Sequence, residues 1–181
     1  MVNTSHPAVE AYRRLYVAHT AVARAIERDL IRVGVSLPQA IALQVIGTAA
    51  DAVTATQLAG YMGQERQSMT GLIDRMEMKL WIARVRDLPD RRAIRLQLTP
   101  SGRVKLDEIL PITFNAVVSI FSRFTEGDLI GMARTFEMVY DAAATQPVHG
   151  PSRGFRAGNR VGSAGVAAPA GIATSRTMSF L

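Results

Sequence analysis

Residues 54–102 read TATQLAGYMGQERQSMTGLIDRMEMKLWIARVRDLPDRRAIRLQLTPSG. Thr54 and Gln57 have the spacing of a capping box, in which a hydroxyl takes an early backbone N–H and the Gln side chain reaches back. A short helix, QLAGYM, follows and stops near Gly63. A second helix is predicted from about Glu65 to Lys79. Its apolar residues Met69, Leu72, Ile73, Met76 and Leu80 recur at three and four positions and make one stripe. The opposite face shows Arg66, Gln67, Thr70, Gly71 and Asp74, which are mostly short or hydrogen-bonding. IARVR (82–86), a turn DLPD (87–90) and RRAIRLQL (91–98) then read as a hairpin. In its second strand Ile94, Leu96 and Leu98 share one face and Arg95 and Gln97 the other, so the hairpin is half-buried.

Working outward, residues 7–33 are predicted as a long helix. Val9, Tyr12, Leu15, Tyr16, His19, Val22, Ala23, Ile26, Leu30 and Val33 keep helical spacing, Pro7 suits the first turn and Gly34 stops it. Ser36 and Gln39 repeat the capping box and open a helix to about Gly47. Thr99-Pro100 starts a helix over about 100–124, which Pro111 should kink by removing one backbone hydrogen bond. Thr125-Glu126-Gly127-Asp128 starts a last helix ending near Ala144. After Gln146 the chain turns rich in Gly, Ala, Ser and Arg without periodicity, and 147–181 reads as a flexible tail. No internal repeat is visible. The expected fold is mostly α with a small β-hairpin wing: helical regions at 1–35 and 100–146 flank a lobe at 36–99.

Charge is focused on that lobe. The net charge of the 181-residue chain is +6, and arginine outnumbers lysine by 19 to 2. Residues 75–105 hold Arg75, Lys79, Arg84, Arg86, Arg91, Arg92, Arg95, Arg103 and Lys105 against Glu77, Asp87 and Asp90. Residues 147–181 add four arginines and no acid, whereas 106–146 is net acidic. Arginine concentrated in this way points to a polyanion, whose phosphates its planar fork matches.

Other classes are poorly supported. There is no cysteine, so disulfides and thiolate metal sites are excluded, and His6, His19 and His149 are scattered. No metal and no cofactor are expected. No run of ~20 apolar residues is present, and MVNTSHPAVEAYRR lacks an apolar stretch behind a basic start. A cytoplasmic setting and no membrane partner are therefore expected. No nucleophile elbow, phosphate-binding glycine loop or metal-ligand spacing appears, and Asp87 and Asp90 sit on an arginine-rich tip rather than in a cleft, so no enzyme is expected. Trp81 reads as a hinge-packing residue, and Met62, Met69, Met76 and Met78 as core filler.

Short helix, tight turn, second helix and hairpin make a winged helix-turn-helix. Its second helix enters the major groove of double-stranded DNA with Arg66, Gln67 and Thr70 toward base edges, while Gly71 permits close approach. The arginines of the hairpin tip reach the adjacent minor groove, where the negative potential is high. The DNA-facing set is Thr54, Gln64, Arg66, Gln67, Ser68, Thr70, Gly71, Arg75, Arg84, Arg86, Asp90, Arg91, Arg92 and Arg95. Of these, Arg84, Arg86, Arg91 and Arg95 are expected mainly on phosphates.

The segment 54–102 resembles the multiple-antibiotic-resistance regulator (MarR) family. The most specific piece is Asp90-Arg91-Arg92 followed by LQLTPSG, and the order of flanking helices extends the resemblance over about 7–145. The resemblance implies that the first and last two helices build a homodimer on a pseudo-palindromic operator. It further implies that Arg92 enters the minor groove and that Asp90 orients the wing through a salt bridge. It also implies a repressor released by a small aromatic or other lipophilic ligand, bound between the dimerisation helices and the DNA-binding lobe. Tyr12, Tyr16 and His19 are the candidates for that pocket. Leu80 stands where the family usually has glycine, Gly71 where a long polar residue is common, and the arginine-bearing tail is extra. Gly71 and Leu80 keep open a second reading, a helical dimer that holds an acidic protein without reading DNA.

Overall fold

Three helix starts are built from local capping. In the computed structural model, which describes residues 6–49, 52–64, 66–86 and 94–145, Ser36, Thr54 and Thr125 each precede a helix. Their partners three residues on, Gln39, Gln57 and Asp128, accept a hydrogen bond from the cap residue's own N–H. The elements are α1 (Pro7–Ile31), α2 (Leu37–Thr48), β1 (Val53–Thr54), α3 (Ala55–Met62), α4 (Arg66–Met78), β2 (Ile82–Arg86), β3 (Ile94–Leu98), α5 (Pro100–Phe121) and α6 (Glu126–Ala144). The mostly helical fold with a small sheet is the expected one.

The sheet has one strand more than the hairpin reading supplies. Its order is β1-β3-β2, all antiparallel, with Val53 opposite Leu96 and Ile82 opposite Leu98. The two-residue strand β1 leads directly into the Thr54 cap, so one threonine ends a strand and starts a helix. α5 ends at Phe121 rather than at 124 and runs as helix across Pro111. Nearby, Thr113 Oγ1 donates to the carbonyls of Ile109 and Leu110.

Residues up to Ile120 form one unit with a continuous core. Leu30 of α1, Leu43 of α2, Leu58 of α3, Met69, Ile73 and Met76 of α4, Ile82, Leu96 and Ile109 are all fully buried there. The apolar stripe read from α4 is thus the face that packs inward, and burying each such side chain contributes roughly 1.5–3 kcal/mol. Leu80 does not share this fate: it is exposed. α5 is tied to α2 by Gln44 Nε2 donating to Thr113 Oγ1 and by Arg103 donating to the Gly47 carbonyl.

The second unit contains α6. Thr125 Oγ1 takes the Asp128 N–H, and the rings of Phe121 and Phe124 lie 6.0 Å apart. Ile130, Phe136, Val139 and Tyr140 of α6 are exposed, and none of the helix's residues is buried.

Candidate nucleic-acid interface

α4 ends in a way that positions the hairpin. Helices α1, α3 and α4 all finish with one residue in left-handed backbone: Gly34 (φ 72°), Gly63 (φ 59°) and Leu80 (φ 58°). Each end has the same pair of hydrogen bonds, which for α4 run from Leu80 N to Glu77 O and from Trp81 N to Met76 O. Leu80 is the sole non-glycine with positive φ among the described residues, and a Cβ there costs about 1–2 kcal/mol. The conformation turns the chain at once from α4 into β2.

Thr99 and Gly102 lock this corner. Thr99 N donates to the Trp81 carbonyl, Thr99 Oγ1 donates to the Leu80 carbonyl, and Gly102 N donates to Thr99 Oγ1. A Cβ on Gly102 would stand 1.8 Å from the Trp81 carbonyl oxygen. Only glycine allows α5 to start this close to the β2 backbone, which is the physical content of the TPSG turn.

Arg84 binds the hairpin to α4. Its Nη2 lies 2.5 Å from Asp74 Oδ1 and its Nη1 2.5 Å from Glu77 Oε2. The Asp74 hydrogen bond raises the Arg84 pKa beyond its already high ordinary value; burial opposes it, and the Glu77 charge adds a smaller increase. Arg84 was expected on a phosphate, but its charge is matched by two carboxylates. The reason is strand parity: Arg84 lies opposite Leu96, a buried residue, so both sit on the sheet's inner face.

The remaining expected residues fall into three groups. Ser68, Thr70 and Arg75 are exposed on α4, and Gln64 is exposed just past α3. Gly71 is half-buried, and a Cβ there would stand 3.4 Å from Arg75 Nη1, so the Arg75 guanidinium lies along the space that Gly71 leaves. Thr54 is committed to the α3 cap, where its hydroxyl accepts from Gln57 N. Arg95 reaches back to donate to the Ala52 carbonyl at 3.1 Å, which fastens β3 ahead of β1. Asp90, Arg91 and Arg92 lie outside the described residues, as do the side chains of Arg66, Gln67 and Arg86 and the tail 147–181.

Tyr12, Tyr16 and His19 do not gather around a cavity within the described unit. All three are exposed on one side of α1. A concavity of about 530 Å³ lies farther along α1, between Ala25, Arg28, Asp29, Arg32 and Val33 and the α5 residues Ile112, Asn115, Ala116, Ser119 and Ile120. Residues that the spacing analysis did not select are Asp74 and Glu77 as partners of Arg84, and Lys79 and Lys105, which both stand over Trp81.

Residues 33–93, which run from just before α2 through α4 and β2 and stop short of β3, match the model of the MarR family. Over this lobe, about a third of the chain, the sequence is similar to the MarR family. The uncharacterized HTH-type transcriptional regulator YsmB of Bacillus subtilis is 32% identical over 92 residues, which cover 51% of this chain and 62% of the relative. The HTH-type transcriptional repressor MdtR of the same organism is 30% identical over 99 residues, covering 55% and 64%. The chain thus spans somewhat under two thirds of the length of these curated relatives. A mutant MarR from E. coli complexed with operator DNA has the same fold, with a TM-score of 0.67 at 17% identity over 72% of this chain and 94% of that one. In this lobe the glycine-less end of α4 and the Arg84 clamp set where the hairpin strands stand relative to the exposed face of α4.

Proposed function

We propose that the chain is a homodimeric, DNA-binding transcriptional regulator. The observation that carries this reading is the exposed face of α4, with Ser68, Thr70 and Arg75, set beside a hairpin that Arg84 holds in place. α4 lies in the major groove, and the arginines of the hairpin tip, Arg91 and Arg92, reach the minor groove. Arg75 lies over Gly71 and supplies the long polar contact that Gly71 lacks. Arg84 positions the wing instead of touching phosphate. The repressor MdtR and the operator-bound MarR fold support the same reading.

Dimerisation is supported by apolar residues left in water. Val9, Tyr12, Tyr16 and Val17 are exposed on α1, and Phe136, Val139 and Tyr140 on α6. Each of these sets of exposed apolar side chains, taken by itself, is surface suited to an interaction. Tyr12, Tyr16 and His19 are then partner contacts, and the effector reading passes to the α1–α5 concavity. That concavity has apolar walls and two arginines, of which Arg32 lies 3.5 Å from Asp29. One net positive charge over an apolar floor suits a lipophilic anion. Such a ligand shifts the dimer toward a lobe spacing that fits DNA poorly and so relieves repression.

The test is a gel shift of the full chain on the duplex upstream of its own coding region, against a scrambled duplex of equal length. The reading expects the native duplex to be retained preferentially and Arg75→Ala to reduce that preference. Equal retention of both duplexes would leave the acidic-protein reading standing in its place.

A further inference from the structure

Of the chain's 21 basic residues only two are lysines, Lys79 and Lys105, and both lie over the one tryptophan, Trp81. Lys79 Nζ is 4.3 Å from the ring centroid and Lys105 Nζ 5.7 Å. The two ammonium groups also converge on consecutive carbonyls just past the end of α1. Lys79 Nζ donates to the Gly34 oxygen at 2.9 Å and Lys105 Nζ to the Val33 oxygen at 3.4 Å. Lys105 is further paired with Glu108 at 2.5 Å. One lysine comes from just past the end of α4, the other from the second turn of α5, and the carbonyls from the turn that follows α1. The ends of α1 and α4 and the start of α5, remote in sequence, are thus joined beside one buried indole.

The chemistry explains the residue choice. The end of a helix carries partial negative charge and unpaired carbonyls, which favour a cation. A lysine delivers a compact charge with three rotatable donors, so it can sit on an indole face and still reach a single carbonyl. The flat fork of arginine suits paired oxygens instead. In a chain that otherwise uses arginine, lysine stands at the two positions where a point donor is needed.

We propose that the Lys79–Trp81–Lys105 clasp fixes the angle between α4 and α1, and so selects the half-site spacing that the dimer accepts on DNA. This rests on the DNA-binding dimer reading above. Without the clasp, α4 stays packed on the core but its link to the end of α1 slackens. The lobes of a dimer then tolerate spacings that the parent rejects. Lys79 and Lys105 are positioning residues here, not phosphate contacts, and the two roles have different signatures. Loss of a phosphate contact weakens every duplex and lowers the salt slope, whereas loss of a positioning group flattens the spacing preference and leaves the slope alone.

The experiment uses the full chain and a duplex selected from a random pool by the parent protein, with one or two base pairs inserted or removed between half-sites. Affinities are read by fluorescence anisotropy for the parent, Lys79→Met, Lys105→Met and Lys79→Arg, with acrylamide quenching of Trp81 measured without DNA. The parent is expected to lose about 10-fold or more per base pair of altered spacing, and either Met variant less than about 3-fold. Both Met variants should show a more quenchable Trp81 and an unchanged salt slope. Lys79→Arg should recover little of the spacing preference. An undiminished preference in folded Met variants, or a reduced slope with the preference intact, overturns the proposal. A parent that selects no duplex removes the DNA reading, and the clasp's role with it. If Lys79→Met does not fold, Lys105→Met and Lys79→Arg decide.

Discussion

Arg84 of β2 closes on Asp74 of α4 with 2.5 Å between nitrogen and oxygen, on the inner side of the β2–β3 pair. With Glu77 as second partner, it makes a cross-element clamp. Replacing Arg84 by Ala leaves two carboxylates without a cation. All three side chains are partly exposed, which screens the loss, so about 1 kcal/mol of stability is expected to go. DNA affinity should fall through wing misplacement, with no change in the salt slope. Urea unfolding and binding titrations at several salt concentrations check both parts. A slope reduced by about 2 for the dimer would return Arg84 to the phosphate-contacting set.

Leu80→Gly should stabilise the protein. The side chain is 68% exposed, so little burial is lost, while the left-handed strain is relieved. The extra freedom of glycine in the unfolded chain offsets part of the gain, which leaves about 0.5–1 kcal/mol. The shift in urea midpoint measures it.

Three glycines should respond to alanine differently. At Gly102 the new Cβ meets the Trp81 backbone at 1.8 Å, which cannot yield without moving α5 from the hairpin, and a loss of at least about 3 kcal/mol is expected. At Gly47 the obstacle is the Leu106 side chain at 2.3 Å, which can rotate, so about 1–3 kcal/mol is expected. Gly60 lies within α3 with nothing inside 4 Å of a Cβ, and alanine there should gain up to about 1 kcal/mol. Thermal melts of the three variants give the ranking.

Asp128 supplies the pH dependence. Hydrogen bonds first from the Thr125 hydroxyl and then from its backbone N–H hold its carboxyl below the ordinary value. A depressed folded pKa contributes stability that is full above the unfolded value of ~3.9 and lost as pH falls through the folded value. Asp128→Asn should therefore flatten the acid dependence of α6, with helix content below the parent's near neutral pH and the difference closing as pH falls through the folded value. Helical circular dichroism of both proteins between pH 2 and pH 7, in about unit steps, reports it.

What was legible in the sequence was what is local. Thr54–Gln57, Ser36–Gln39 and Thr125–Asp128 are three residues apart, so helix starts could be read directly. The inward face of α4 followed from its period. β1 was not visible, because two residues carry no alternation and Val53 finds its partner Leu96 across an intervening helix-turn-helix. Arg84 shares strand parity with buried Ile82, so its inward direction was readable, whereas its carboxylate partners depend on how α4 turns at Leu80. The departure at Leu80 was visible as a residue type, but its left-handed backbone was not. The stripe of Tyr12, Tyr16 and His19 was correctly helical. Periodicity alone does not distinguish a stripe that lines a cavity from one that meets a second chain. The clasp on Trp81 joins residues more than 70 positions apart, a distance at which no spacing rule operates.

The most direct test is the salt dependence of binding to the upstream duplex by the full chain and by the double variant Arg91→Gln/Arg92→Gln. If each subunit of a dimer neutralises three to four phosphates, the parent's log–log slope should be roughly −5 to −7, and the variant's shallower by about 3. A parent slope near zero, or a variant that binds with the parent's affinity and slope, would contradict the account.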